Sequence, residues 1–134
     1  MMPTDLTVLQ AKRFGVYSCS KENTLMEAAQ RMVEEDISAL VVVDEEGFLA
    51  GIITRTDMMR ALVSMEDWEK HKVSSLMSPE VVTVTSQTNL LRVAEILLDQ
   101  QIHRVVAVRE EGGKKRPISV VSAADIVYHM VKNN

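Results

Sequence analysis

The sequence predicts a mixed fold (α+β or α/β): two repeats of strand–helix–strand–strand–helix packed as a pseudo-two-fold pair. Three observations carry this. The stretch "VYSCSKENTLMEAAQRMVEEDISALVVV" (Val16–Val43) lies without a gap over "VVTVTSQTNLLRVAEILLDQQIHRVVAV" (Val81–Val108), 65 positions further on. The stretch "GIITRTD" (Gly51–Asp57) returns as "SVVSAAD" (Ser119–Asp125), 68 positions further on. Within each copy the apolar spacing passes from β-branched runs to helical periodicity and back at corresponding places. The three extra residues fall in "REEGGKKRP", which reads as turn-like.

Each repeat opens on a short β-branched run, Val16–Cys19 or Val81–Thr85. A polar stretch then leads into a helix, with Leu25, Ala28, Ala29 and Met32 at helical spacing, and Leu90, Val93, Ala94 and Leu97 likewise. Thr24 with Glu27 has the form of a capping box. The runs "ALVVVD" and "RVVAVR" are too short and too β-branched for helices and are apolar almost throughout, which predicts strands covered on both faces. "DEEG" makes a tight turn into a strand over Phe48–Ile53. Second helices are expected from Arg55 to about Ser64 and from Ala123 to about Val131. "MEDWEKHK" (Met65–Lys72) reads as a charged connector, and "VSSLMSP" as the opening of the second unit. The repeats are therefore divided as residues 1–66 and 67–134.

With 134 residues, 46% apolar and 25% charged, the chain has the make-up of a soluble globular protein. Halves of this size are marginal alone and are expected to share an interface. A net charge of −4 argues against general nucleic-acid binding, which needs a basic footprint. Cys19 is the single cysteine, so no intramolecular disulfide or cysteine-based metal site is expected, in keeping with a reducing compartment. The start "MMPTDLTVLQ" lacks the basic region and long apolar core of a signal peptide, and no apolar run approaches the ~20 residues of a membrane span. These features predict a cytoplasmic protein.

The repeated motif has a structural meaning and a functional one. A hydroxyl followed three residues later by aspartate is a helix-start signature: the hydroxyl accepts from a free backbone N–H, and the acid sits where the helix dipole favours negative charge. The same geometry at the end of a buried strand offers N–H groups and a hydroxyl to phosphate. It also offers a carboxylate that can accept from both hydroxyls of a ribose. Both roles can coexist.

Taken together, the duplicated element order, "ISALVVVDEEG", "IHRVVAV" and both hydroxyl-x-x-Asp motifs resemble cystathionine-beta-synthase (CBS) domains. The tandem, over about Val8 to Val131, is similar to a Bateman module. The resemblance implies adenosyl ligands (AMP, ADP, ATP or S-adenosylmethionine) in clefts between the repeats, regulation of an attached or associated effector, and no obligatory cofactor. It assigns Thr54 and Ser122 to phosphate, and Asp57 and Asp125 to ribose. Ile37, Ser38 and Ala39, with Ile102, His103 and Arg104, fall on the start of the middle strand that lines base and phosphate. Tyr17 and Ser18, with Val82 and Thr83, fall on the first strand near the adenine. Two departures stand out: Ser119 replaces the glycine usual before the second motif, and the middle strands lack a proline often found there.

The two clefts are expected to differ. Ser38 and Ala39 become His103 and Arg104 in the second repeat. The arginine fork matches phosphate oxygens, whereas the bland alternative is a solvated strand end. His71 and His129 have no ligand-spaced partners, so no metal site is expected. Cys19 aligns with Val84 and reads as a buried thiol, and Trp68 as a packing plug. Lys114, Lys115 and Arg116 read as a solvated turn that can touch an anion. Met58, Met59, Ala61, Leu62, Val63 and Met65 cover more than one helix face, so a second surface is needed: the other repeat, or a second copy in a homodimer. The leading expectation is a non-catalytic nucleotide-responsive regulatory module. Its alternative is a structural dimerisation module with empty clefts. No nucleophile–base pair favours an enzyme.

Overall fold

The computed structural model describes residues 5–11 and 15–132; residues 1–4, 12–14 and 133–134 lie outside the described residues. In chain order come α1 (Val8–Ala11), β1 (Ser18–Ser20), α2 (Leu25–Glu35), β2 (Ala39–Val43), β3 (Leu49–Thr54) and α3 (Arg55–Ser64). Two 3₁₀ turns follow, Trp68–Lys70 and Val73–Ser75. Then come β4 (Thr83–Val84), α4 (Leu90–Gln100), β5 (Arg104–Glu111), β6 (Lys114–Ser122) and α5 (Ala123–Lys132). This is the mixed α/β architecture of two repeats that the sequence predicts. Each repeat has its own three-stranded sheet, β1-β2-β3 or β4-β5-β6, with a parallel pair followed by an antiparallel hairpin.

Local chemistry sets the element ends. Thr24 caps α2 as a full capping box: its hydroxyl accepts from Glu27 N–H at 3.1 Å, while the Glu27 carboxylate accepts from Thr24 N–H at 2.8 Å. Asn89 caps α4 with a single bond from Arg92 N–H, 2.8 Å. Both helices stop on a left-handed residue, Asp36 (φ 51°) and Gln101 (φ 54°), whose N–H groups return to carbonyls of the last turn. In β2, Leu40, Val41 and Val42 are buried in succession, as expected of a strand covered on both faces. The turn after it is tight: Asp44 accepts from Glu46 and Phe48 N–H, and Gly47 takes φ 85°.

The second hairpin departs from expectation. "REEGGKKRP" is mostly strand, since Arg109 faces Arg116, Glu110 faces Lys115 and Glu111 faces Lys114. Only Gly112 and Gly113 turn, both with positive φ. Charged residues are strand-competent here because this end of the hairpin is solvated, so nothing selects for apolar alternation.

Packing also follows a different division from the repeats of the sequence. One compact unit is Tyr17–Val81; the other joins Val82–Asn134 to Met1–Val16, as far as these are described. "VSSLMSP" therefore does not open the second unit. Val73 is fully buried with Leu25, Leu40 and Ile53, and Trp68 packs against the same core. The His71 carbonyl accepts from Leu25 N–H at 2.8 Å, filling an orphan donor at the start of α2. In the other unit the Leu6 carbonyl does this for Leu90 at 2.9 Å, and Leu6, Val8 and Ala11 join Val93, Val105 and Val121 in the core. The segment preceding each repeat's first strand thus docks on the other repeat's helix start. No hydropathy pattern distinguishes this exchange from packing at home.

Candidate ligand-binding site

Thr54 ends β3 and caps α3. Its hydroxyl accepts from Asp57 N–H at 3.2 Å, while Asp57 Oδ2 accepts from the Thr54 N–H at 2.8 Å and the Thr54 hydroxyl at 3.0 Å. Ser122 and Asp125 repeat the arrangement between β6 and α5, at 3.4, 2.8 and 3.0 Å. The helix-start meaning of the motif is therefore realised twice. The Asp57 side chain is only 13% exposed, and its other oxygen accepts from Arg60 Nη1 at 3.2 Å.

The neighbouring strands bring the other sequence-selected residues to the same sheet end. Ala39 lies opposite Thr54, and the Ser38 carbonyl accepts from Arg55 N–H at 3.0 Å. Arg104 lies opposite Ser122, and the His103 carbonyl accepts from Ala123 N–H at 3.1 Å. On the first strands, Tyr17 and Val82 carbonyls accept from Val41 and Val106 N–H, both at 3.1 Å, which sets Ser18 and Thr83 in register. Ser38 and His103 are exposed; Ile37, Ala39, Ile102 and Arg104 are half-buried. One group of seven, with Asp57, thus gathers in unit 17–81, and its counterpart, with Asp125, gathers in the other.

Three features escaped the sequence reading. Arg60 pairs with Asp57 at i, i+3, a spacing that was available as a signal. Arg55 reaches Asp36 at 3.3 Å, 19 positions back, for which no local pattern exists. The backbone at Gly51 is approached by the chain itself: a Cβ there would stand 2.6 Å from the Ser78 carbonyl oxygen.

Cys19 is half-buried, and burial pushes its thiol up to about 11 against the opposing pull of Arg31. It is no nucleophile at neutral pH. An open recess of about 230 Å³ beside β1 and α2, lined by Cys19, Asn23, Glu27 and Arg31, takes only Ser18 from the candidate residues. Buried His129 approaches the Ala11 carbonyl at 2.8 Å through Nε2, and His71 approaches the Glu66 carbonyl at 3.2 Å. Among the described residues no three His, Cys, Asp or Glu side chains gather as a metal-holding group, and no helix is long and apolar enough to cross a membrane.

Two repeats of this build, each carrying a hydroxyl-x-x-Asp cap at its sheet end, define a CBS-domain pair. The model of the CBS domain matches residues 11–64 and 73–132, and the chain belongs to the CBS-domain family. It is 32% identical over 118 residues to the CBS domain-containing protein CBSX3, mitochondrial, of Arabidopsis thaliana. That match takes in 84% of this chain but 55% of the plant protein, so the chain spans about half of that relative's length. The CBS domain pair of protein MJ0100, solved in complex with 5′-methylthioadenosine and S-adenosyl-L-methionine, superposes with a TM-score of 0.84 at 25% identity. The superposition covers 96% of this chain and 98% of that one. Hypoxic response protein I, solved with two coordinated zinc ions, gives a TM-score of 0.76 at 26% identity, covering 92% and 98%.

Proposed function

We propose that this chain is a non-catalytic regulatory module that binds an adenosyl ligand at the capped sheet ends and acts as a homodimer on an effector in trans. The observation that carries the reading is the carboxylate of Asp57, repeated as Asp125, fixed by its own helix cap beside the start of the middle strand. The ligands of the MJ0100 pair support the adenosyl class. Thr54, Ser122, His103 and Arg104 are assigned to phosphate or its equivalent. Asp57 and Asp125 take ribose, and Tyr17, Ser18, Ile37, Ser38, Ala39, Val82, Thr83 and Ile102 line the base. Regulation follows if ligand affinity differs between two states of the module, since a ligand shifts an equilibrium only by that difference.

The exposed apolar faces of α3 (Met59, Leu62, Val63) and α5 (Val127, Met130, Val131) support dimerisation. Calorimetry with 5′-methylthioadenosine, S-adenosylmethionine, adenosine, AMP, ADP and ATP tests the ligand reading. Asp57→Ala and Asp125→Ala should each weaken the ligand that binds by ~1.5–3 kcal/mol, the scale of hydrogen bonds to a charged acceptor. Failure of the whole panel to bind a folded dimer would leave the dimerisation module as the function.

A further inference from the structure

The two hydroxyl-x-x-Asp caps share their backbone geometry but not the residue one turn further along. In α3 the third residue after Asp57 is Arg60; in α5 the third residue after Asp125 is Tyr128. Arg60 Nη1 donates to Asp57 Oδ1 at 3.2 Å, while Oδ2 accepts from the N–H and the hydroxyl of Thr54 at 2.8 and 3.0 Å. An ionised carboxylate has about four acceptor positions, so these bonds leave about one, on Oδ1. The two hydroxyls of a ribose need two. The Thr54 bonds belong to the capping box that holds the start of α3. The Asp57 side chain is 13% exposed and the Arg60 side chain 68%. The carboxylate therefore cannot swing out to meet a ligand, whereas the guanidinium can leave.

We propose that Arg60 sets the sugar selectivity of the first site. It competes with the ribose diol for Asp57 Oδ1, so a ribonucleoside engages the carboxylate fully only by displacing it, whereas a 2′-deoxyribonucleoside has a single hydroxyl to place and leaves it bound. This deepens the adenosyl reading above and rests on it. A largely exposed i, i+3 ion pair contributes little, so the competition lowers ribonucleoside affinity by about two- to fivefold. Salt weakens such a pair. An uncharged ribonucleoside should then bind the first site more tightly as salt rises, the reverse of the response expected from an ion pair to the ligand itself. Arg60 acts on selectivity rather than on the cap, because Thr54 already orients the carboxylate through the other oxygen.

The test is calorimetry with adenosine and 2′-deoxyadenosine at low and high salt, on the full chain with the second site silenced by Asp125→Ala. Asp125→Asn serves in its place where the alanine variant does not fold. In that background Arg60→Ala should tighten adenosine about two- to fivefold and leave 2′-deoxyadenosine unchanged. Arg60→Met keeps the aliphatic stem, removes the charge and should do the same, which covers an alanine variant that loses packing. Arg60→Lys should stay near the parent. The adenosine Kd should fall with added salt in the parent and stay level in Arg60→Ala and Arg60→Met. Equal weakening of both nucleosides by these two variants would make Arg60 a residue that orients the carboxylate, and overturns competition. Unchanged affinities with no salt response also overturn it, while adenosine binding keeps the adenosyl reading. Adenosine binding to neither the wild type nor any variant overturns both.

Discussion

Gly51→Ala tests the packing that positions the first candidate site. The added Cβ would stand 2.6 Å from the Ser78 carbonyl oxygen and 3.0 Å from the Met77 sulfur. The carbonyl is backbone and is held in place: Ile52 and Ser78 exchange two hydrogen bonds of 2.9 Å. Relief requires the segment through Ser78 to withdraw from β3. Overpacking costs ~1–3 kcal/mol, and weakening two backbone bonds adds ~0.5–1.5 kcal/mol each, so a loss of about 2–6 kcal/mol is expected. In a domain of this size that lowers Tm by roughly 6–24 °C. Urea unfolding followed by circular dichroism should show a lower midpoint at an unchanged slope. Gly15→Ala is the control, because nothing lies within 4 Å of its added carbon. Met77→Ala should rescue only part of the loss, since the carbonyl contact remains. If Gly51→Ala is as stable as Gly15→Ala, the reasoning is refuted.

Three further outcomes are expected. Because burial raises the Cys19 thiol from 9.0 to about 11, its stabilising contribution is full below pH 9 and is lost as pH rises toward 11. Cys19→Ala should flatten stability over that window, and identical slopes would dismiss the effect. His129→Ala removes a buried ring 2.8 Å from the Ala11 carbonyl and should cost about 2–4 kcal/mol. Hydrogen exchange should quicken at Val8, Leu9 and Leu90 before Leu25, whose carbonyl partner is His71; equal acceleration contradicts a local latch. Arg104→Ala should weaken AMP and ATP about tenfold more than adenosine, with Lys recovering part, because charge survives without the planar fork. Equal losses for AMP and adenosine would make Arg104 a residue that shapes the site rather than one that binds phosphate.

What could be read in advance was whatever depends on neighbours in sequence. The capping box at Thr24, the tight turn at Asp44, the span of α3 and the double covering of Leu40–Val42 all follow from patterns a few residues long. Contacts between distant segments were not legible. Val73 and Leu6 are apolar in either unit, so hydropathy cannot say which core receives them. Nothing near Gly51 in sequence shows that the space beside it is taken by the Ser78 carbonyl, 27 positions on. The Arg109–Arg116 hairpin was hidden for the opposite reason: charged residues and two glycines carry turn signals, and only cross-strand pairing shows that they extend a strand.

The cap and the ligand reading at Asp57 support each other. An ionised carboxylate has about four acceptor positions. Oδ2 uses two of them on the N–H and hydroxyl of Thr54, which fixes the plane of the group. Oδ1 keeps further capacity beside the Arg60 guanidinium, which is 68% exposed and can share or yield its bond at little cost. The acceptor offered to a ribose is therefore already ordered by the fold, and the entropy of ordering it is not charged to binding. Asp57→Asn separates the two roles. The amide can still accept from Thr54 through its oxygen, so stability should fall by less than in Asp57→Ala, while the charged acceptor is lost and ligand affinity should fall nearly as far. Equal ranking of the two variants in stability and in affinity would reduce the aspartate to a cap.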